Sequence, residues 1–145
     1  MIIVKRLAAG VFELCINKTK VMNTILWLCQ ALLALEFGYS GFCKSTLSEA
    51  ALVHEKGQTG VEGLPMPFIR FIGVAEIAGA IGILLPWWFG IARVLTPVAA
   101  VCFAVIMVFA APIHIKRKEP RNVATNLITL AIAIFIAYER FRELA

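Results

Sequence analysis

Aspartate is missing from this chain of 145 residues, so all of its acidity rests on nine glutamates. Histidine is scarce. His54 and His114 both lie near the ends of apolar segments, so there is no pair of axial ligands for a haem. No Gly-x-Gly-x-x-Gly turn leads from a strand into a helix, which removes the dinucleotide-binding fingerprint. The four cysteines, Cys15, Cys29, Cys43 and Cys102, form neither a Cys-x-x-Cys pair nor a metal-ligand spacing. On one helix Cys29 and Cys43 would lie ~21 Å apart, against the ~4.4–6.8 Å between Cα atoms that a disulfide requires. All four read as small hydrophobic filler. An internal repeat with broken helices, the usual mark of a secondary transporter, is also missing. Autonomous redox catalysis is therefore not expected.

What the chain has in excess is apolar residues. At 61% hydrophobic and a mean hydropathy of +0.86, it lies far above the ~45–50% of soluble domains and reads as an all-α membrane protein whose first partner is the lipid bilayer. The length holds four spans of ~20 residues and no separate soluble domain. The net charge of +5 is clustered at segment ends, as anchoring to anionic headgroups requires. No basic face with interleaved aromatics is present, so nucleic acid is not an expected partner.

The most informative stretch runs from Phe68 to Pro86, FIRFIGVAEIAGAIGILLP, an apolar run that carries Arg70 and Glu76. At helical rise Glu76 falls ~12 Å into a ~30 Å hydrocarbon slab. Ten large apolar residues contribute roughly −4.5 kcal/mol on an insertion scale, whereas a midplane acid costs about +2.5 to +3.5 and Arg70 adds a smaller end term. The near-zero balance makes this helix depend on neighbours. Gly73, Gly79 and Gly82, with Ala75 and Ala78, form a flat face on which another helix can approach closely. Glu76 is expected to face the bundle interior and to bond Arg70 or polar groups of the first and fourth helices.

Residues 1–23 are too interrupted by charge to span. Met22 offers an alternative start that would leave residues 1–21 untranslated, so the membrane domain is placed at 22–143. Its spans fall near 24–43, 68–88, 94–113 and 122–138, and the short connections make them an antiparallel four-helix bundle. The first span carries Gln30 and Glu36. In the first connection, Thr46 and Glu49 read as a capping box that opens a short interfacial helix ended by Gly57, with His54 solvated on it. Pro86-Trp87-Trp88 closes the second span, and His114 to Arg121 forms a basic headgroup connector. Asn122, Thr125, Asn126 and Thr129 share one helical stripe, either for interhelical hydrogen bonding or as a wall of a polar pocket. Arg140 and Arg142 are expected to snorkel to the interface. Positive residues do not orient the bundle: Lys5, Arg6, Lys18, Lys20, Arg93, Arg140 and Arg142 stand against Lys44, Lys56, Lys116, Arg117, Lys118 and Arg121.

This order of parts resembles the DoxX-like family of small four-helix membrane proteins, from about Met22 to Phe141. The resemblance rests on Arg70, Gly73, Ala75-Glu76, Gly79, Gly82 and Leu85-Pro86. Trp27, Gln30, Phe37, Gly41 and Lys44 support it in the first span, and Thr96-Pro97, Ala99-Ala100, Met107 and His114 in the third. It implies a bacterial inner-membrane location and a link to oxidoreductase or quinone-handling assemblies, with a quinone as the implied cofactor and protein subunits or a second copy as partners. It supplies no catalytic constellation.

Three functions follow. The chain is a membrane subunit of a quinone-linked oxidoreductase assembly, a binding or transport module for a small metabolite or proton, or a scaffold whose buried charges fix helix register. The candidate polar site comprises Gln30, Glu36, Arg70, Glu76, His114 and Asn126.

Overall fold

The computed structural model describes residues 17–54 and 58–145, and residues 2–16 as backbone alone. Cys15, Lys56 and the Gly57 helix stop lie outside the fully described residues. The elements are α1 (Ile2–Thr46), α2 (Glu49–His54), a short 3-10 turn at Thr59–Val61, α3 (Met66–Phe89), α4 (Leu95–Lys116) and α5 (Pro120–Arg142). Strands are absent among the described residues. Four helices are long and apolar enough to cross a bilayer, α1 through its Asn17–Thr46 portion. They agree with the four expected spans, with ends that differ by one to four residues in α3, α4 and α5 and a longer N-terminal extension in α1.

Consecutive spans pack side by side, α1 on α3, α3 on α4 and α4 on α5, and α5 returns to touch α1 more sparsely. Each reverses the direction of the one before, so the bundle is antiparallel. Leu26, Leu33, Phe37, Ile83, Phe103 and Ile136 fill its axis. The Phe37 and Phe103 rings stack there with centroids 3.7 Å apart. Leu28, Leu35, Phe71, Val108 and Phe109 face outward, which lipid requires and water would penalise. A second apolar cluster, Cys43, Leu52, Val61 and Ile69, seats α2 and the short turn on the ends of α1 and α3.

The glycines of α3 serve two neighbours. A Cβ on Gly73 would lie 2.8 Å from the Gly41 carbonyl and 2.7 Å from Ser45 Oγ, so Gly73 and Gly41 set the α1–α3 crossing. A Cβ on Gly79 would meet the Phe103 ring of α4 at 2.7 Å. At Gly82 it would meet Ala99 at 3.6 Å, an ordinary contact. Gly73→Ala should therefore lower stability by about 1–3 kcal/mol through overpacking, and Gly82→Ala by far less. Thermal unfolding of the two variants in one detergent checks the contrast.

Pro86 does not end its helix; α3 continues to Phe89 and stops at Gly90, whose left-handed φ of 70° lets its N–H reach the Pro86 carbonyl. Having no N–H, Pro86 cannot bond the Gly82 carbonyl one turn earlier, and the Thr96 hydroxyl of α4 donates to that oxygen at 3.3 Å. A helix break is thereby avoided inside the membrane. The first connection also differs from expectation. Thr46 belongs to the last turn of α1, where its hydroxyl donates to the Phe42 carbonyl, and Ser48 caps α2 by accepting from the Ala51 N–H at 3.4 Å. Glu49 instead accepts from the Gly63 N–H at 2.6 Å and so ties the connection together.

Candidate functional site

Every Cα–Cβ bond of a helix tilts toward its N-terminus, so a lysine near the end of α1 leans back into the bundle rather than out to the headgroups. Lys44 does this. Its Nζ donates to Ser40 Oγ at 2.9 Å, one turn back, and to Glu76 Oε1 at 2.5 Å. Glu76 is 1% exposed, so the ion pair is buried between α1 and α3. The expected interior position of Glu76 is found, but its partner is Lys44 and not Arg70. Arg70 donates to the backbone carbonyl of Lys44 at 2.9 Å, one of the oxygens that the end of α1 leaves without an intrahelical donor.

Lys44 and Glu76 stand on the wall of a cavity of about 610 Å³, bounded by α1, α3, α4, α5 and the turn at Gly60 and Val61. Phe37, Ile72, Ile106 and Met107 form much of its apolar lining. Glu36, Ser40, Gln58, His114, Asn122, Thr125 and Asn126 add polar groups. Glu36 receives the Thr129 hydroxyl at 3.1 Å, which joins α1 to α5. Three residues of this wall each hold a buried polar atom with no hydrogen-bond partner among the described residues: Glu76 Oε2, Asn126 Nδ2 and Gln58 Oε1. Buried polar atoms are normally satisfied, and three of the five exceptions among the described residues belong to residues of this wall.

The headgroup side of the cavity is organised by Glu119. Its Oε2 accepts from the Thr59 hydroxyl at 2.7 Å and from Asn122 Nδ2 at 3.0 Å, and lies 2.7 Å from His114 Nδ1. Its Oε1 accepts from Arg117 Nε at 2.9 Å, and Arg117 also pairs with Glu62 at 2.5 Å. The bond with His114, followed by those from Thr59 and Arg117, holds the Glu119 carboxyl down at about 2. Ionised Glu119 makes Nδ1 the donor of the histidine, and the Nε2 edge lies under Gly60. The bonds to both acids raise the Arg117 guanidinium above its ordinary value.

Because the folded value lies below the ordinary 4.5, these contacts contribute in full above about 4.5 and are lost as pH falls toward about 2. Hydrogen exchange of residues 58–64 should be slow and pH-insensitive, after correction for intrinsic rates, from neutrality down to about 4.5. It should accelerate below that, and Glu119→Ala should be fast throughout.

The other two expected site residues lie apart. Arg70, on α3, bonds the end of α1, and Gln30 belongs to a second polar centre with Arg140 of α5. There Arg140 is 0% exposed, which corrects the expectation that it snorkels; only Arg142 is exposed. Arg140 Nε and Nη2 both donate to Gln30 Oε1, at 2.8 and 2.6 Å, while Nη1 reaches Asn23 Oδ1 at 3.1 Å and Glu143 Oε2 at 2.6 Å. Its guanidinium lies 4.2 Å from the centroid of the Trp87 ring. Gln30 Nε2 donates in turn to the Ile83 carbonyl at 2.5 Å. No atom of Arg140 or Gln30 is among the buried polar atoms left without a partner, in contrast to the cavity.

Lys44, Ser40 and Arg140 were not singled out from sequence as site residues. Lys44 follows Glu36, Phe37 and Ser40 on one stripe of α1, and extending that helix past Cys43 would have placed it inward.

No curated protein and no solved structure matches the chain. The model of the DoxX-like family matches residues 28–136, which span Gln30, Glu36, Lys44, Glu76, His114 and Asn126. With three quarters of its length in that match and four apolar helices arranged as a bundle, the chain belongs to the DoxX-like family of multi-pass membrane proteins.

Proposed function

We propose that this protein is a membrane-embedded binding module for a small amphipathic molecule. The observation that carries this reading is the trio of unpartnered buried atoms, Glu76 Oε2, Asn126 Nδ2 and Gln58 Oε1, on one cavity of about 610 Å³. That volume lies within the ~300–1,000 Å³ of small-molecule sites. A scaffold needs the Lys44–Glu76 pair and the glycine contacts but has no use for the cavity.

The finer reading implied by the resemblance, a subunit of a quinone-linked oxidoreductase assembly in the bacterial inner membrane, fits the donors better than the acceptors. Quinone oxygens accept from Lys44 and Asn126, yet leave Glu36, Gln58 Oε1 and Glu76 Oε2 facing groups that cannot donate to them. A guest that donates as well as accepts matches the whole wall.

Native mass spectrometry of the detergent-purified protein tests the proposal. Wild type should retain a small molecule, and Ala110→Phe, which places a ring in the cavity, should lose it while unfolding at a similar temperature. Equal retention by both, or none by either, overturns the binding reading and leaves the scaffold.

A further inference from the structure

The cavity wall is richer in acid than in base. Resting on the reading that this cavity is a ligand site, we propose that it takes an amphiphilic amine: a protonated ammonium with a neighbouring oxygen, carried on an apolar body.

Among the described residues two carboxylates, Glu36 and Glu76, line the cavity against the single ammonium of Lys44. Lys44 pairs with Glu76 through Oε1, leaving Oε2 buried and without a hydrogen-bond partner among the described residues. Glu36 has only the Thr129 hydroxyl, a neutral donor. On the headgroup side Arg117 faces both Glu62 and Glu119 and His114 is bonded to Glu119, while the exposed Lys116, Lys118 and Arg121 do not line the cavity. Arg70 is spent on the end of α1 and is not on the wall. In a medium of low dielectric the unmatched carboxylate favours a cation strongly.

The same wall says which kind of cation. No group of three His, Cys or acidic side chains among the described residues converges as a metal ion requires. Glu36, Glu76 Oε2 and Gln58 Oε1 are acceptors, which an ammonium with its several N–H donors can satisfy together. Asn126 Nδ2 is the opposite case, a buried donor 8% exposed that asks for an oxygen on the guest. The apolar body follows from Phe37, Ile72 and Met107 around the polar groups. Phe68 and Phe109 on the rim are 50% and 73% exposed, so the opening faces lipid and a lipid-dissolved molecule can enter sideways.

The test uses the full chain in phosphatidylcholine nanodiscs titrated with dodecylamine, dodecanol or dodecanoate, read as the shift in unfolding temperature with ligand concentration. Wild type should show a saturable shift with the amine at a concentration at least about tenfold lower than with the alcohol or the carboxylate, the scale of one charge-assisted bond. Glu36→Gln should abolish that preference, moving the amine to the concentration range of the alcohol. Should Glu36→Gln fail to fold, Gln58→Leu in the connection removes another acceptor of the ammonium and should weaken the amine more than the alcohol. If the alcohol or carboxylate matches the amine, or a folded Glu36→Gln is silent, the charge preference is wrong while the cavity stands as a binding site. If no probe gives a saturable shift in wild type, both readings fall.

Discussion

Lys44→Met is expected to destabilise the bundle by about 3–5 kcal/mol, because it strands the Glu76 carboxylate, 1% exposed, without a counter-charge. The loss should appear as a much lower unfolding temperature in detergent. Glu76→Leu alone should do similar damage by leaving the ammonium in the bundle. Combining Lys44→Met with Glu76→Leu should restore most of the stability, since two apolar side chains of similar size replace an ion pair whose desolvation cost offsets much of its attraction. The double variant separates structure from function: on the proposed reading it folds and no longer retains the guest, whereas a register-fixing pair would leave nothing further to lose.

Arg140→Met carries the second large effect, again about 3–5 kcal/mol, and for a different reason. Its guanidinium meets Gln30, Asn23 and Glu143 at once and lies over Trp87, so removal leaves Gln30 Oε1 and Glu143 without donors at the contact between α1 and α5. Arg140→Lys should recover less than half of the loss, because one ammonium cannot reproduce the planar fork or its stacking. Retention of the cavity guest should be unchanged in any folded Arg140 variant, since none of these contacts lines the cavity. Equal stability of Arg140→Lys and wild type would show that only charge matters there.

The helices were legible because the bilayer imposes one rule, a run of ~20 apolar residues, and four such runs stand out. The glycine face of α3 was equally readable, although only contacts reveal that Gly73 serves α1 and Gly79 serves α4. Partner choice was not readable. Arg70 lies near Glu76 in sequence, yet it is Lys44, thirty-two residues earlier, that reaches the carboxylate, because a helical side chain leans toward its own N-terminus. Arg140 illustrates the same limit. An arginine near the end of a final span normally reaches water, and Gln30 and Asn23 on α1 with the ring of Trp87 on α3 hold this one inward. The stripe of α5 allowed two readings, and the structure divides it. Thr129 bonds across to Glu36 and Asn122 to Glu119, whereas Asn126, on the cavity wall, keeps Nδ2 buried and without a partner.

A density map of the protein in lipid nanodiscs tests the ligand-site claim most directly. Density for a small molecule between Phe37, Met107 and Asn126, within hydrogen-bond reach of Glu76 Oε2, is the predicted result. A closed bundle in which Asn126 Nδ2 meets Glu76 Oε2 directly, with no space between α1 and α5, would contradict it.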